Sequence, residues 1–341
     1  MQHIGKPFEA SKALQHEQAN GIAAFVLPHF SAGTEQEFHN LNSALESLRA
    51  QTDDNWRAIL VDDNSTAPHV RQHLSRCASE LEGRLQVVYS STNRGPGHAR
   101  NVGIAKALEA GHPYVLFLDS DDVAHPRRVE VTRQLFSRHA EVGVIYSTFE
   151  IIDDFGHPVP RERLTPSIVE ILEAHESNPP QGDDVWIAIA TETGYVNLTS
   201  ATAVRTHIAA RCPFPCERVS EDFCAWLAYS AAGARYLYTP DIPAKYRIPQ
   251  NVEGSASRDR EGGAHQFNIK KSKVDVNGFE SALVMALERG ALSEEQARAL
   301  RVRFFLRRAA SMAKDGEWAL AEDFRRRASV ADGALSSKRT Q

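Results

Sequence analysis

The sequence predicts an α/β protein in which a mostly parallel sheet is flanked by helices and followed by a helical C-terminal extension. Short apolar runs alternate with amphipathic helical patterns between residues 22 and 122, and the pattern is helical throughout from residue 278 onward. In addition, acidic residues directly follow two of the apolar runs. Open parallel sheets bind their ligands at that end of the strands.

The first four predicted strands are short apolar runs that are separated by helices. Because strand and helix alternate, the strands are expected to be parallel, with right-handed crossovers. Pro28 is expected to end the first strand. The runs cover residues 22–27, 56–61, 85–89 and 114–118, and the helices between them cover residues 34–49, 70–81 and 99–109.

The second half of the α/β region is less regular. Residues 142–146 and 149–152 are predicted to form two strands around a loop, and residues 195–204 alternate weakly, as a strand would. Ser220 is a favourable N-cap for a further helix. The two acids that follow it would lie in the first turn, where the helix dipole favours negative charge.

Composition and charge exclude several classes of protein. Of the 341 residues, 42% are hydrophobic and 24% are charged, which is typical of soluble globular proteins. The net charge of −5 argues against a general nucleic-acid binder. Four cysteines are too few for a disulfide scaffold, so reduced thiols are expected. The polar start resembles no secretion signal and no apolar run is long enough to span a membrane, which predicts a cytoplasmic protein.

Three carboxylates follow the fourth strand, and they belong to Asp119, Asp121 and Asp122. Such a cluster is costly unless a cation or hydrogen-bond donors neutralise it. Hard oxygen ligands suit Mg²⁺ or Mn²⁺, and Mg²⁺ is commonly shared between carboxylates and substrate phosphates. The run therefore indicates a metal–diphosphate site. The alternative is a solvated acidic turn ahead of the next helix.

A second acidic pair, Asp62 and Asp63, follows the second strand and would lie on the same rim of a doubly wound sheet. A uracil imide or ribose hydroxyls would be suitable donors to these carboxylates. Between the acidic segments, residues 94–101 form a glycine turn into a helix N-terminus, and Arg94 and Arg100 could hold anionic oxygens there. The alternative is an ordinary β-turn followed by a solvated basic helix start.

Taken together, these segments resemble the GT-A glycosyltransferases of family 2. The motifs follow one another in the family's order over roughly residues 20–255, and the resemblance implies a GT-A fold and transfer of a sugar from a nucleotide donor. The matching segments are residues 47–52 (SLRAQT), 61–65 (VDDNS), 93–101 (NRGPGHARN), 117–122 (FLDSDD), 144–156, 220–222 (SED) and 246–247 (YR).

The resemblance implies roles for the acids. Asp63, with Asp62 beside it, would bind the nucleotide base, and Asp119 would bind on the ribose side. Asp121 would hold Mn²⁺ or Mg²⁺ against the diphosphate. Asp222 would be the general base of an inverting reaction, and the helix dipole should favour its charged form. From the residues alone, the acidic pair is more simply explained as the first turn of a helix.

Other residues are connected to the site less directly. Pro28 stands where neighbouring residues line the nucleotide pocket in the family. Where the family more often has a Tyr-Asn type pair, this chain has His29 and Phe30, so the base and sugar preference stays open. The other residues implied at the nucleotide are Arg94, Gly95, Arg100 and Ser120, and those implied at acceptor or phosphate are Glu221, Arg247 and His265.

The resemblance also divides the chain into parts. The polar, glycine-rich stretch 250–266 is predicted to be either a lid over the donor or a linker. The parts are a polar lead (1–20), a GT-A catalytic domain (21–255, with a nucleotide-binding half at 21–125 and an acceptor half at 126–255), a flexible lid or linker (256–277) and a C-terminal helical region (278–334).

The leading hypothesis is an inverting, metal-dependent transfer from a UDP-linked sugar to a hydroxyl of a saccharide, lipid-linked sugar, peptide or natural product. A non-catalytic scaffold would bind the donor without turnover. A sugar-phosphate nucleotidyltransferase should carry Lys or Arg after the first strand, and residues 28–33 have neither. In a receiver-like phosphorylation module, the acid pair should follow the first strand rather than the second.

The C-terminal region combines arginines with aromatic residues. Helices are predicted over residues 298–313 and 317–330, after a segment that contains Leu283, Leu287 and Leu292. The basic character would suit peripheral contact with an anionic membrane. The alternative is a helical hairpin packed on the catalytic domain or on a second copy in a homodimer, with the arginines solvated or paired to acids.

Overall fold

The computed structural model describes residues 21–248 and 261–336, and it confirms the mixed α/β class. Its strands are β1 (Ala23–His29), β2 (Trp56–Asp62), β3 (Leu85–Tyr89), β4 (Tyr114–Phe117), β5 (Val142–Ile152), β6 (Thr202–Arg205) and β7 (Arg235–Arg247). They form one sheet in the order β3-β2-β1-β4-β6-β5-β7. Strand β6 is antiparallel to both neighbours, and every other adjacent pair is parallel.

The helices flank this sheet and extend beyond it. They are α1 (Glu35–Arg49), α2 (Pro68–Glu80), α3 (Pro96–Glu109), α4 (Arg128–Arg138), α5 (Pro166–Ser177), α6 (Val185–Ala188), α7 (Thr206–Arg211), α8 (Glu221–Ala231), α9 (Ala264–Glu288), α10 (Glu294–Lys314) and α11 (Trp318–Ser336). The four predicted strands and three predicted helices of the first half are all confirmed. Helix α1 begins with a capping box, in which Thr34 and Glu37 satisfy each other's backbone N–H groups.

Strand β1 is buried at all seven positions and lies between β2 and β4. The predicted end at Pro28 is wrong, because the strand continues to His29. The carbonyl of Val26 points toward β4, because it accepts a hydrogen bond from the N–H of Leu118. The backbone of Pro28, two residues further along, points the same way. Pairing with β4 stops at Val26, so the missing N–H of Pro28 interrupts no bond of the ladder.

Both faces of the sheet are covered by helices. Leu41, Leu74 and Phe136, from α1, α2 and α4, belong to the core on one face. On the other face, α3 and α8 pack together with the C-terminal helices in a single larger core, which includes Trp226 and Phe279. A mostly parallel sheet covered on both faces is the arrangement expected for strands that are apolar along their whole length.

Two strand predictions in the second half need correction. Residues 142–152 form the single strand β5, because the predicted intervening loop is only a register shift between Ser147 and Phe149. The predicted strand 195–204 is reduced to Thr202–Arg205. Residues 199–201 form a 3₁₀ turn instead, which ends where pairing with β4 and β5 begins.

The predicted lid or linker at 256–277 is also wrong in its second part, because α9 begins at Ala264. Gly278 lies inside this helix rather than at its start. A Cβ atom at this position would lie 2.5 Å from the Sγ atom of Cys224, so the glycine permits close packing of α9 on α8. The polar lead and residues 249–260, which hold much of the predicted lid, lie outside the described residues.

The C-terminal arginines are paired with acids of the chain. Arg301 contacts Glu280, Arg303 contacts Glu192 and Arg308 contacts Asp275. Arg325 and Arg327 pair with acids on their own helix. The helices pack on one face of the α/β region, which supports the helical-hairpin interpretation. Helix α9 ends at Glu288, so Leu292 lies beyond it. Across residues 21–248 and 261–336, the helices lack the combination of length and apolar character that crossing a bilayer requires.

The stacking of Phe279 on Phe304 should make α9 and α10 part of the cooperative core. Their ring centroids are 4.0 Å apart, and neither side chain is exposed. We expect Phe279→Ala to lower the free energy of unfolding by roughly 3–5 kcal/mol, because a large buried ring leaves a cavity. Urea denaturation monitored by circular dichroism would measure this loss.

The matched control is Leu306→Ala on α10, where the side chain is half exposed. It should lower the free energy of unfolding by less than about 1 kcal/mol, as most surface substitutions do. Equal effects of the two substitutions would contradict a shared core.

Candidate active site

The carboxyl ends of β1, β2 and β4 meet at one edge of the sheet and bring the predicted nucleotide residues together. The main-chain N–H of Asp63 donates to the carbonyl of His29. Nδ1 of His29 lies 3.1 Å from Oγ of Ser120, inside the acidic loop after β4. Burial lowers the pKa of His29 to about 4, so its imidazole is neutral. The predicted convergence of these strand ends is therefore observed.

The two acids after β2 hold their own loops. Asp62 accepts hydrogen bonds from the N–H and hydroxyl of Ser65. The carboxylate of Asp63 accepts from the N–H of Arg94 at 3.0 Å and from that of Gly95 at 2.6 Å, which fixes the turn before α3. Gly95 has a φ of 90°, in the region that favours glycine. The role of Asp63 at a nucleotide base stays a prediction, and its contacts here are with the turn.

Arg100 on α3 joins two acidic loops. Its guanidinium is almost fully buried, and its Nη2 lies 2.7 Å from Oδ1 of Asp119 while its Nη1 lies 2.8 Å from Oε1 of Glu221. In this structure Arg100 and Glu221 bind each other, and their direct contacts with phosphate or acceptor stay predictions. Arg94 has its guanidinium at the surface, 3.7 Å from Sγ of Cys216.

Asp122, which the resemblance left without a role, is fully buried behind the acidic loop. It accepts hydrogen bonds from the hydroxyl of Ser200 and from the N–H of Arg247. The same hydroxyl accepts from the N–H of Asp119 at 2.9 Å. Burial raises the pKa of Asp122 well above its usual range, and the nearby charges of Asp121 and Asp119 raise it further. Asp122 therefore supports the loop from inside.

Arg247 braces the same loop through main-chain oxygens. Its Nε donates to the carbonyl of Asp121 at 2.7 Å, and its Nη1 donates to the carbonyl of Asp153 at 2.6 Å. In this structure Arg247 supports the loop, and its phosphate contact stays a prediction. Nδ1 of His265 lies 2.7 Å from Oε2 of Glu317, in the turn before α11, and its contact with acceptor or phosphate stays a prediction as well.

The SLRAQT segment holds the backbone that follows the acidic loop. The hydroxyl of Ser47 accepts from the N–H of Ala124 at 3.0 Å. Gln51 donates to the carbonyl of His125 at 2.8 Å and accepts from the N–H of Val129 at 3.0 Å. The SLRAQT segment therefore has a structural role, which is to support the backbone that follows the acidic loop.

Asp222 lies in the first turn of α8 and is partly exposed. Burial and the neighbouring Glu221 carboxylate raise the pKa of Asp222 to about 7, although Arg100 and Lys271 oppose the shift. The N–H of Phe223 in the first turn lowers the pKa, as expected for a helix N-terminus, but burial and Glu221 outweigh this effect. Ser220 occupies the predicted N-cap position, but its side chain makes no capping bond: its φ is 62° and its hydroxyl bonds to groups outside the helix.

Asp222 and the acids of the acidic loop all act electrostatically on the same tyrosine. Burial raises the pKa of Tyr246, and the charges of Asp122, Asp121, Asp119 and Asp222 raise it further. Together with the Arg100 bridge, this places the predicted base and the predicted metal ligand in one site. That convergence joins segments more than 100 residues apart in sequence.

The donor set suits a cation that is shared with a ligand. In the parts of the chain that the structure describes, no three His, Cys, Asp or Glu side chains form a ready-made metal site. The exposed Asp121 and the partly exposed Asp119 offer hard oxygen atoms beside each other. One or two carboxylates completed by substrate phosphates is a common arrangement for Mg²⁺, so these residues fit such an ion.

Comparison with known proteins agrees with this geometry. Residues 34–196 match the model of glycosyl transferase family 2. The succinoglycan biosynthesis protein ExoW of Rhizobium meliloti is 37% identical over 101 residues, which cover 30% of each chain. The chain spans only 9–45% of the length of the first curated relatives that it matches.

Two solved structures share the fold over most of the chain. TarS of S. aureus in complex with UDP-GlcNAc is 18% identical with a TM-score of 0.59, over 89% of this chain and 80% of that one. The mannosyltransferase PcManGT of Pyrobaculum calidifontis in complex with GDP-Man and Mn²⁺ is 16% identical with a TM-score of 0.50, over 93% and 87%. These likenesses and the sheet described above show that the chain has the GT-A fold, and the matched segment 34–196 is that of a family 2 glycosyltransferase.

Proposed function

We propose that this protein transfers a sugar, with inversion, from a UDP-linked donor to a hydroxyl group of an acceptor. The observation that carries the proposal is the Arg100 bridge, which joins Asp119 of the acidic loop to Glu221, the residue before Asp222. Residues 21–125 would bind the nucleotide, and residues 126–255 would shape the acceptor side. The complexes of TarS with UDP-GlcNAc and of PcManGT with GDP-Man and Mn²⁺ support a nucleotide-sugar donor with a divalent cation.

The acidic loop would hold the donor's diphosphate through a divalent cation. Asp121, with Asp119 beside it, would bind Mn²⁺ or Mg²⁺, which stabilises the negative charge that develops on a leaving diphosphate. Asp119 is already oriented by Arg100, and its main-chain N–H is held by Ser200. These contacts fix the carboxylate before any donor arrives, which lowers the cost of organising the site.

Asp222 would remove the proton from the acceptor. The acceptor oxygen forms a bond to the anomeric carbon while the bond from that carbon to the diphosphate oxygen breaks, and the hydroxyl proton passes to the carboxylate. A base whose pKa of about 7 lies near the working pH suits this transfer. A single displacement inverts the configuration at the anomeric carbon. It needs Asp222 as a base but no carboxylate as a nucleophile.

Asp222→Asn should abolish transfer while leaving donor binding intact. We expect a rate loss of about 10²- to 10⁴-fold, the usual contribution of a positioned general base. A thermal-shift panel of UDP-, GDP- and dTDP-sugars with Mn²⁺ would select the donor. Release of the nucleoside diphosphate would then give the rate, with water as the acceptor.

Asp315→Asn, at an exposed position after α10, is the matched control for the charge change. It should keep the parental rate. If Asp222→Asn also kept it, another group would be the base. Donor binding without release by the parent would favour the non-catalytic scaffold.

The rate should rise with pH through the pKa of Asp222. Only the ionised carboxylate can accept a proton, so kcat/KM of the parent should increase as the pH rises through about 7. Initial rates in a constant-ionic-strength buffer series would show this limb. A flat profile from pH 5 to 9 would contradict the assignment.

Asp121→Ala should remove the metal-dependent part of donor binding. Because the cation would link Asp121 to the diphosphate, Mn²⁺ should no longer raise the melting temperature beyond the effect of donor alone. Asp315→Ala serves as the control and should behave like the parent. An undiminished Mn²⁺ effect in Asp121→Ala would place the cation elsewhere.

A further inference from the structure

Three charged side chains, two of them buried and one partly buried, connect the C-terminal helices to the start of α8. Asp275 on α9 has no exposed surface. Its Oδ2 lies 2.9 Å from Nζ of Lys271 and 3.1 Å from Nη1 of Arg308 on α10. Apolar residues of similar size commonly stabilise a core as well as such a cluster does, so its presence calls for a reason beyond packing.

The cluster reaches the predicted base through Ser220, two positions before Asp222. The Ser220 hydroxyl donates to Oδ1 of Asp275, so it must accept at its oxygen from its other partners. These are the hydroxyl of Tyr195 at 2.7 Å and the ammonium of Lys271 at 3.1 Å. Every one of these contacts comes from outside α8.

The backbone at Ser220 explains why such contacts are needed. With φ at 62° and ψ at 19°, this serine is in the left-handed region that favours glycine. A strained conformation persists when its surroundings fix it, and here the fixing bonds come from α9 and Tyr195. The turn at Ser220 sets the direction in which Glu221 and Asp222 leave the chain.

Lys271 also carries positive charge to the first turn of α8. Its ammonium lies 4.9 Å from the ring centre of Tyr195 and 5.5 Å from that of Phe223, the residue after Asp222. The groups that act electrostatically on Asp222 are its neighbour Glu221, the two cations Arg100 and Lys271, and the ionisable residues Tyr195, Cys224 and Tyr246.

We infer that Lys271 and Asp275 are positioning residues that act through Ser220 to hold Asp222 in its reactive place. The C-terminal helices are then part of the catalytic apparatus and not an appendage to it. This inference rests on the proposed function. It goes beyond the family likeness, because the matched segment ends at residue 196.

The competing explanation is a structural clamp between α8 and α9. Arg308 offers a matched comparison, because it pairs with the same carboxylate but its described contacts are on the side of the C-terminal helices. A clamp predicts that Lys271→Met and Arg308→Met have the same consequences. A positioning role predicts that they differ in turnover.

The test compares Lys271→Met with Arg308→Met in the full chain, using release of nucleoside diphosphate from the selected donor. We expect kcat to fall by about tenfold to a hundredfold in Lys271→Met, as for small displacements of a reacting group. Donor affinity should stay within about twofold of the parent, because the substitution does not touch the donor site. Arg308→Met should lose stability but keep its kcat.

The pH profile gives a second readout. Loss of the Lys271 cation should raise the pKa of Asp222, because a nearby positive charge stabilises the ionised carboxylate. The acid limb of kcat/KM should therefore move to higher pH. Lys271→Arg, which restores the charge, should return the limb toward the parental position. A clamp would lower the rate equally at every pH.

If Lys271→Met does not fold, Ser220→Ala provides the test instead. It removes only the hydroxyl that contacts both Lys271 and Asp275. It should also lower kcat with little change in donor affinity. Parental kcat in Lys271→Met or Ser220→Ala, or equal losses in Lys271→Met and Arg308→Met, would overturn the inference. If the parent released no nucleoside diphosphate, or if Asp222→Asn were fully active, the proposed function itself would fail.

Discussion

The bridge made by Arg100 is the interaction on which the arrangement of the site depends. A single buried guanidinium binds Asp119 after β4 and Glu221 at the start of α8, and the two acids are far apart in sequence. Without it, two carboxylates would face each other in a poorly solvated space, which is strongly unfavourable. The positive charge of Arg100 therefore allows several carboxylates to lie close together at one edge of the sheet.

The surrounding contacts follow one rule, in which buried polar groups fix backbone and leave exposed carboxylates for ligands. Asp63 holds a turn, Asp122 holds the acidic loop with Ser200, and Arg247 holds two carbonyl oxygens. Such contacts satisfy polar groups that cannot reach water. They also limit the motion of the loop, so a ligand would meet a surface that is already shaped.

Much of the fold was predictable because local patterns and tertiary packing agree in the first half of the chain. The runs from β1 to β4 are apolar and short, and the helices between them have regular spacing. Prediction failed where tertiary contacts override local signals. Gly278 was predicted as a boundary but permits close packing inside α9, and Pro28 is tolerated because pairing with β4 has already ended.

The sequence predicted the acidic residues of the site but not the partners of its arginines and its lysine. Strand ends predicted that Asp63, Asp119 and Asp121 share one edge of the sheet, and the resemblance added Asp222 as the base. Sequence could not show that Arg100 and Arg247 bind the protein itself, because their partners come from distant segments. The buried position of Asp122 and the network of Lys271 and Asp275 likewise depend on contacts between α9, α8 and the loops, which no local pattern encodes.

The brace formed by Arg247 has a consequence for how such a site can diversify. Both of its contacts at the loops are to main-chain oxygens, which every amino acid supplies. The brace is therefore indifferent to the side chains at positions 121 and 153. Related chains could exchange the exposed carboxylate at position 121 for another side chain without rebuilding the support beneath it.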